Sequence, residues 1–292
     1  MIDWKLIEQL LSKHSGRTFH IVERQVISGG SINNARRVSD GRESFFVKIN
    51  RAPLAHMFAA ESAALEELHN TGAIRVPEPI SHGVSGQECY FVMRWLDLSG
   101  SPDAQEFGRR MAALHRHTHQ QFGFHLDNTI GSTPQLNNWS DNWIDFWQKQ
   151  RLGYQLKLAK QNGFGDRLYA LGLQLNEKTP LFFASYTPVP SLLHGDLWSG
   201  NWGATGKGQP VIFDPACYYG DREADLAMME LFGHPGKRFF DAYHESFALD
   251  PGYALRKKFY NLYHVLNHAN LFGSSYAMQA ENMIESLLVE LG

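Results

Sequence analysis

Three oxygen-bearing side chains recur at a spacing that phosphoryl-transfer enzymes use. Asp196 and Asn201 lie in the run HGDLWSGN, and Asp214 follows in the apolar run VIFDP. In such a loop one carboxylate accepts the proton of the acceptor hydroxyl, while an amide oxygen and a second carboxylate hold Mg²⁺. The alternative is a polar turn before a buried strand, with Asp196 and Asn201 as turn residues. The full set favours Asp196 as the base and Asn201 and Asp214 as the metal ligands.

A lysine and a glutamate form a second candidate pair. In ESFFVKI the alternation of a strand places Lys48 beside Phe46 on one face, and Glu61 interrupts the apolar stripe of the helix that follows. A carboxylate on an apolar face is costly unless it is paired. In kinases such a pair directs the lysine onto the nucleotide phosphates. The alternative is a purely structural ion pair between neighbouring elements.

Two glycines precede this lysine in the run ISGGSIN. Glycine lets backbone N–H groups approach a phosphate closely, so we expect Gly29, Gly30 and Ser31 to contact a nucleotide. The run matches neither G-x-G-x-x-G nor G-x-x-x-x-G-K-[ST], and an ordinary hairpin turn is the alternative. Its position ahead of Lys48 favours the nucleotide.

Further polar and aromatic residues surround the Asp196 loop in sequence. Asp221 and Glu223 open a helix and suit its dipole, so a structural role is favoured, although they could also contact a cationic acceptor. Asp225 could accept backbone N–H groups of the loop, and His194 could brace it. Trp198 could either stack on a sugar ring or pack the loop.

Histidine and tryptophan are abundant, with 14 and 7 residues. On a helix, His115 and His119 of the run HRHTH would share a face, but no H-E-x-x-H signature supports a metal site there. Trp139, Trp143 and Trp147 recur every four residues, which predicts a helical stripe in the core.

The elements that would position these residues change in kind near residue 100. Residues 19–49 predict three antiparallel strands, with Asp40-Gly41 as a two-residue hairpin turn. Residues 53–70 predict a helix, and a second hairpin follows it. From residue 103 onward, helical patterns prevail.

The pattern predicts a bilobal α+β protein. The N-lobe, residues 1–97, would hold a five-stranded antiparallel sheet and one main helix, and the C-lobe, residues 98–292, would be mostly α-helical. We expect the nucleotide between the lobes.

Composition narrows the classes of partner. The net charge is −3, which gives no support to nucleic-acid binding, and no apolar run is long enough to span a membrane. Cys89 and Cys217 do not make a disulfide framework, so a reduced, cytoplasmic setting is expected.

These motifs resemble the fructosamine kinase (ketosamine-3-kinase) family along nearly the whole chain. They resemble more loosely the aminoglycoside and choline phosphotransferases, which share a protein-kinase-like fold. The resemblance is carried by FVKIN, IRVPEPI, FVMRWLDL, NTIGSTPQLN, HGDLWSGN and FDPACYYGDREADLAMMELFG. The tryptophan after HGDL and the YYGDRE run are its most specific features.

The resemblance implies ATP- and Mg²⁺-dependent phosphorylation of a ketosamine at the sugar 3-hydroxyl, after which the unstable adduct sheds its sugar. It assigns the same roles to Asp196, Asn201, Asp214, Lys48 and Glu61, and places the linker beside adenine. That linker comprises Met93, Arg94, Trp95 and Leu96. Many relatives carry a cysteine where this chain has Ser31, so a disulfide switch at that position is not expected.

Two alternatives stay open. The acceptor could be an aminoglycoside, an amino sugar or an amino alcohol, or the chain could bind nucleotides without catalysis. The complete set of residues argues against the second alternative. The expected substrate is a small glycated amine, and the protein is expected to be a monomer.

Overall fold

The computed structural model describes residues 2–27 and 33–292, without the side chain of Ser274. Gly29, Gly30 and Ser31 lie outside the described residues, so their predicted contact with the nucleotide stays a prediction. Elements up to residue 94 form what we call the sheet part, and those from residue 104 onward form the helical part.

The sheet part is built on one antiparallel sheet of five strands with the order β1-β2-β3-β5-β4. Its elements are α1 (Trp4–Ser15), β1 (Glu23–Ile27), β2 (Asn34–Ser39), β3 (Ser44–Arg51), α2 (Ala55–Asn70), β4 (Pro79–Ser85) and β5 (Glu88–Arg94). The predicted order of three strands, a helix and two strands is therefore correct. The central position of β3 places Lys48 away from both edges of the sheet.

The turn between β2 and β3 differs from the prediction. Ser39 pairs with Ser44, so the loop has four residues rather than two. The Asp40 carboxylate accepts the backbone N–H groups of Arg42 and Glu43 at 2.9 and 2.8 Å. Asp40 thus forms an Asx turn with an ordinary negative φ, whereas a type I′ hairpin needs positive φ at both central residues.

Two helices cover opposite faces of the sheet. On one face, α1 buries Leu11 against a cluster that includes Val47 and Val92. On the other face, α2 packs Phe58 near Phe91, with ring centroids 6.1 Å apart. Because side chains alternate along β3, the face that carries Lys48 is the one that α2 covers.

The helical part consists of helices and short hairpins. Its helices are α3 (Ala104–Leu114), α4 (Trp143–Phe146), α5 (Gly153–Gln161), α6 (Asp166–Glu177), α7 (Glu223–Leu231), α8 (Lys237–Ser246), α9 (Tyr253–Phe272) and α10 (Ser274–Leu291). Its strands are β6 (Asn128–Ile130), β7 (Thr133–Gln135), β8 (Ser191–Leu193), β9 (Trp202–Ala204), β10 (Pro210–Ile212) and β11 (Tyr218–Gly220). β6 pairs with β7, β8 with β11, and β9 with β10.

Two helical predictions require correction. α3 ends at Leu114, so the HRHTH run is not helical and its histidines do not share a helix face. The tryptophan stripe begins at Trp143, because Asn142 caps α4 by accepting the N–H of Asp145. Trp139 precedes this cap and stacks on His119 with ring centroids 4.4 Å apart.

A five-stranded antiparallel sheet followed by a mostly helical part confirms the α+β fold class, and one hydrophobic cluster spans both parts. Phe58 and Phe91 of the sheet part belong to the same buried cluster as Phe107, Leu193 and Leu226 of the helical part. Within the described residues, no helix combines the length and the apolar character that crossing a membrane requires.

Candidate active site

A cavity of about 910 Å³ lies where the sheet part meets the helical part. Residues 93–96 line one side of it, and Asp196, Asn201 and Asp214 line the other. The fold therefore brings together segments that are more than 100 residues apart in the chain. The described residues that were predicted to bind nucleotide and metal all line this cavity, as does Trp198.

Lys48 lies between two carboxylates. Its Nζ is 2.7 Å from Oε1 of Glu61 and 2.6 Å from Oδ1 of Asp214. Burial opposes the charge of this lysine, but the two carboxylates outweigh burial and raise the pKa of Lys48. Burial also raises the pKa of Glu61, which Lys48 opposes. The lysine is therefore a fixed cation at the cavity wall.

The Asp196 loop joins a carboxylate to an amide. Nδ2 of Asn201 donates to the backbone oxygen of Asp196 at 2.8 Å and to Oδ2 of the same residue at 3.1 Å. This orientation leaves Oδ1 of Asn201 without a donor among the described residues. Burial and the charge of Asp214 raise the pKa of Asp196 to about 7. Asp196 is thus poised near neutral pH, where a general base is most effective.

A short hairpin brings the two candidate metal ligands together. β9 and β10 are antiparallel, and Trp202 pairs with Ile212 at one end of the hairpin. At that end Phe213 donates its N–H to the backbone oxygen of Asn201 at 3.0 Å. Asp214, one residue further, has φ of 56° and is the one non-glycine residue with positive φ in the described parts of the chain. Such backbone strain is frequent at functional sites.

Asp225 holds the backbone of the loop from below. Its two carboxylate oxygens accept the N–H groups of His194 at 2.7 Å and Gly195 at 2.8 Å. Gly195 has φ of 82°, and a Cβ there would lie 2.1 Å from the backbone oxygen of Ala216. Nε2 of His194 lies 2.9 Å from the backbone oxygen of Phe213. These contacts are the ones that a supporting role for His194 and Asp225 requires.

His115 belongs to the same support, although its sequence context raised only a metal site, which no signature supported. It is fully buried, with Nε2 3.2 Å from Oδ2 of Asp225 and Nδ1 2.8 Å from the hydroxyl of Tyr243. Burial opposes the charge of Asp225, but bonds from His115 and the loop N–H groups hold its pKa below the usual value. The sequence did hold one signal that His115 is buried: it follows Met111 by four residues and so continues the apolar face of α3.

The linker after β5 is fixed by backbone bonds. Arg94 donates its backbone N–H to the backbone oxygen of Glu78 at 2.9 Å, and Trp95 donates its backbone N–H to the backbone oxygen of Ser44 at 3.1 Å. The Arg94 guanidinium turns toward Glu43, at 2.8 Å. The linker therefore borders the cavity, while the charge of Arg94 is committed to an ion pair.

Asp221 and Glu223 are not among the residues that line the cavity, and their contacts agree with the structural role that the sequence favoured over contact with the acceptor. Both carboxylates are fully buried. Asp221 accepts the hydroxyls of Tyr186 and Tyr260 at 2.9 and 2.6 Å. Glu223 pairs with Arg256 at 2.7 Å. Because each buried charge already has its partners, a structural role accounts for both residues.

Trp198 and two unpredicted histidines, His264 and His268, also line the cavity. Trp198 is 40% exposed, and its ring lies so close to Gly200 that a Cβ there would be 2.2 Å away. His264 and His268 lie one turn apart on α9, and Nδ1 of each is buried without a hydrogen-bond partner. Burial, with His268 nearby, lowers the pKa of His264 to about 3, and burial lowers that of His268. The spacing H-x-x-x-H was their only sequence signal.

This geometry is that of a phosphotransferase with a protein-kinase-like fold. A thermostable mutant of the aminoglycoside phosphotransferase APH(4)-Ia, solved with AMP-PNP and hygromycin B, superposes with a TM-score of 0.64 at 18% identity over 98% of each chain. The family model described as fructosamine kinase matches residues 3–290, and the chain belongs to that family.

Its relatives agree. A probable ketoamine kinase of Synechocystis is 46% identical, over 98% of this chain and 97% of the relative. A chloroplastic protein-ribulosamine 3-kinase of Arabidopsis thaliana is 43% identical, over 94% and 85%. The crystal structure of a candidate fructosamine-3-kinase from Haemophilus somnus has a TM-score of 0.89 and 30% identity, over 98% and 97%.

Proposed function

We propose that this chain transfers the γ-phosphoryl group of ATP to the 3-hydroxyl of a ketosamine, a sugar bound to an amine. The observation that carries the proposal is the single cavity that unites Lys48 and Glu61 with Asp196, Asn201 and Asp214. Membership of the fructosamine kinase family supports the acceptor class. The name of the Arabidopsis relative supports the 3-position.

The reaction needs a base, a cation and an in-line acceptor. Asp196 takes the proton of the acceptor hydroxyl while the hydroxyl oxygen forms a bond to the γ-phosphorus of ATP. The bond between that phosphorus and the β,γ-bridging oxygen breaks, and ADP is released. Lys48, held by Glu61, contacts the nucleotide phosphates and offsets their charge. The base stays effective because its carboxylate faces Asn201 rather than Lys48.

The side-chain oxygens of Asn201 and Asp214 are suitable ligands for Mg²⁺. The free Oδ1 of Asn201 and the half-exposed carboxylate of Asp214 are hard oxygen ligands, few enough to leave room for phosphates and water. No group of three or more His, Cys, Asp or Glu side chains in the described ranges suits a metal, so a mixed amide and carboxylate site is the best candidate. Bound there, Mg²⁺ would offset charge on the phosphates.

The lining of the cavity favours a ketosamine over a polycationic aminoglycoside. The carboxylates among the described lining residues are Glu61, Asp196 and Asp214, all assigned to the transfer itself. The lining also includes His264 and His268, which are neutral because burial lowers their pKa values. Neutral imidazoles suit sugar hydroxyls, whereas several ammonium groups would need carboxylates.

We further propose that the nucleotide lies between an N-lobe that ends at residue 97 and a C-lobe that follows it. We also propose that the chain acts as a monomer on a small acceptor.

An acceptor panel tests the proposal. Sugar–lysine adducts built from fructose and ribulose skeletons, free sugars, amino alcohols and aminoglycosides are offered with ATP and Mg²⁺, and ADP formation is measured. We expect the ketosamines to react best, with phosphate on the 3-oxygen by NMR of the product. Preference for an aminoglycoside over every ketosamine would contradict the proposal.

A further inference from the structure

Tyr219, the second tyrosine of the YYGDRE run, makes a contact that the mechanism above does not use. Its hydroxyl donates to Oε1 of Glu67 at 2.5 Å, which joins β11 of the helical part to α2 of the sheet part. The tyrosine is 8% exposed, and the ring of His119 lies 5.0 Å from its own. Burial and the neighbouring Glu67 raise the pKa of Tyr219, so its hydroxyl keeps the proton that it donates.

The face of α2 that carries Glu67 approaches the helical part closely. Ala60 and Ala64 lie on that face and are buried, and small side chains let backbones come near each other. Sγ of Cys217 lies 3.9 Å from the backbone oxygen of Ala64. Beyond the end of α2, Ile212 donates its N–H to the backbone oxygen of Arg75 at 3.1 Å. The Tyr219–Glu67 bond is a bond between two side chains at this junction, and the bond from Arg75 to Gln209 is another.

The same helix carries Glu61, which holds Lys48. Glu67 follows Glu61 by six residues, about 9 Å along a continuous α-helix, so a shift at one position moves the other. We propose that Tyr219 is a positioning residue: by holding Glu67 it docks α2 on the helical part and thereby keeps Glu61 aimed at Lys48. This inference rests on the proposed function, because it assigns Lys48 to the nucleotide phosphates.

The consequence is a kinase whose α2 needs no separate activation step. Glu67 of α2 is bonded to Tyr219 of the helical part. Glu61 of α2 is bonded to Lys48, which in turn contacts Asp214 of the helical part. Loss of the Tyr219 hydroxyl should therefore loosen the Lys48–Glu61 pair without removing any group that touches substrate.

Substitution of the two partners tests this. Tyr219→Phe keeps the ring and removes only the donor, and Glu67→Ala removes the acceptor. We expect each to lower kcat/KM for ATP about fivefold, the effect of losing one typical hydrogen bond. Glu67→Gln keeps an acceptor oxygen and should recover most of that loss. Glu66→Ala, on an exposed neighbouring position of the same helix, is the matched control and should react as the parent does.

Double variants separate positioning from general packing. Tyr219→Phe with Glu67→Ala should be no slower than either alone, and Tyr219→Phe should have little further effect in a Glu61→Gln background. Additive losses, or a lowered melting temperature with unchanged kcat/KM, would overturn the inference. AMP-PNP affinity, measured by calorimetry, should weaken in Tyr219→Phe in parallel. If the parent phosphorylates no ketosamine, the proposed function fails instead, while the binding measurement still tests the junction.

Discussion

Asp196 shows how one side chain can be tuned by its neighbours. Burial and the charge of Asp214 raise its pKa to about 7, while the Asn201 amide stabilises the ionised form. A base with this pKa is ionised in an adequate fraction near neutral pH and still binds a proton usefully. Removing the carboxylate should therefore affect the transfer step rather than binding of the nucleotide.

We expect Asp196→Asn to lower kcat by about three orders of magnitude, in the range general-base catalysis supplies. AMP-PNP affinity should change less than about twofold, since the variant leaves Lys48 and Asp214 in place and removes no phosphate contact. Single-turnover kinetics and nucleotide titration measure the two effects. Asp241→Asn, on an exposed face of α8, is the control. Undiminished turnover in Asp196→Asn would remove Asp196 from the role of base.

At the scale of elements, the Asp196 loop is held in place by two helices. The first turn of α7 supplies Asp225, whose carboxylate receives two loop N–H groups, and the end of α3 supplies His115 to that carboxylate. The loop can carry a left-handed residue at Gly195 because these bonds define its path.

Asp225→Asn should destabilise the protein by about 3 kcal/mol at pH 7, because an amide cannot accept all the donors that face the buried carboxylate. The pKa of Asp225 is lowered in the folded state, so its contribution is complete above the unfolded value of about 3.9 and is lost as pH falls through the folded value. The difference from the parent should therefore be constant from pH 7 to about 5 and shrink below about 4.

Urea unfolding across that pH range measures the difference. The matched control is Asp166→Asn, another acid in the first turn of a helix but an exposed one. A difference that grows as the pH falls toward 4 would contradict the assignment.

On the scale of the whole molecule, the shared core couples the sheet part to the helical part. Phe58 and Phe91 are buried in the same cluster as Phe107 and Leu193. Neither part can therefore lose its structure without exposing the apolar surface of the other.

We expect one calorimetric transition, with the calorimetric enthalpy equal to the van't Hoff enthalpy. AMP-PNP with Mg²⁺ at about 100 times its dissociation constant should stabilise the whole protein by about 2.7 kcal/mol and shift that single transition upward. Removing Mg²⁺ with EDTA should reduce the shift, and Asp214→Ala should make it insensitive to EDTA. Two transitions, of which nucleotide moves only one, would contradict this coupling.

Much of the candidate site could be predicted because it lies in short segments. The order of the elements, the lysine on β3, the glutamate on α2 and the Asp–Asn–Asp spacing are properties of local sequence, and the structure brings these residues together. Pattern rules failed at two places where a polar side chain bonds the nearby backbone. The turn between β2 and β3 and the start of α4 follow the side chains of Asp40 and Asn142, which accept backbone N–H groups.

The fold class and the side chains able to transfer phosphate follow from local sequence, because hydrophobic periodicity and motif spacing act within a few tens of residues. Which polar residues face the cavity depends instead on contacts made across the folded chain. Burial pairs Asp221 with tyrosines and Glu223 with Arg256, and it leaves Nδ1 of His264 and of His268 without a hydrogen-bond partner among the described residues. The charge a buried group carries depends on its partners across the core, and those partners become neighbours only when the chain folds.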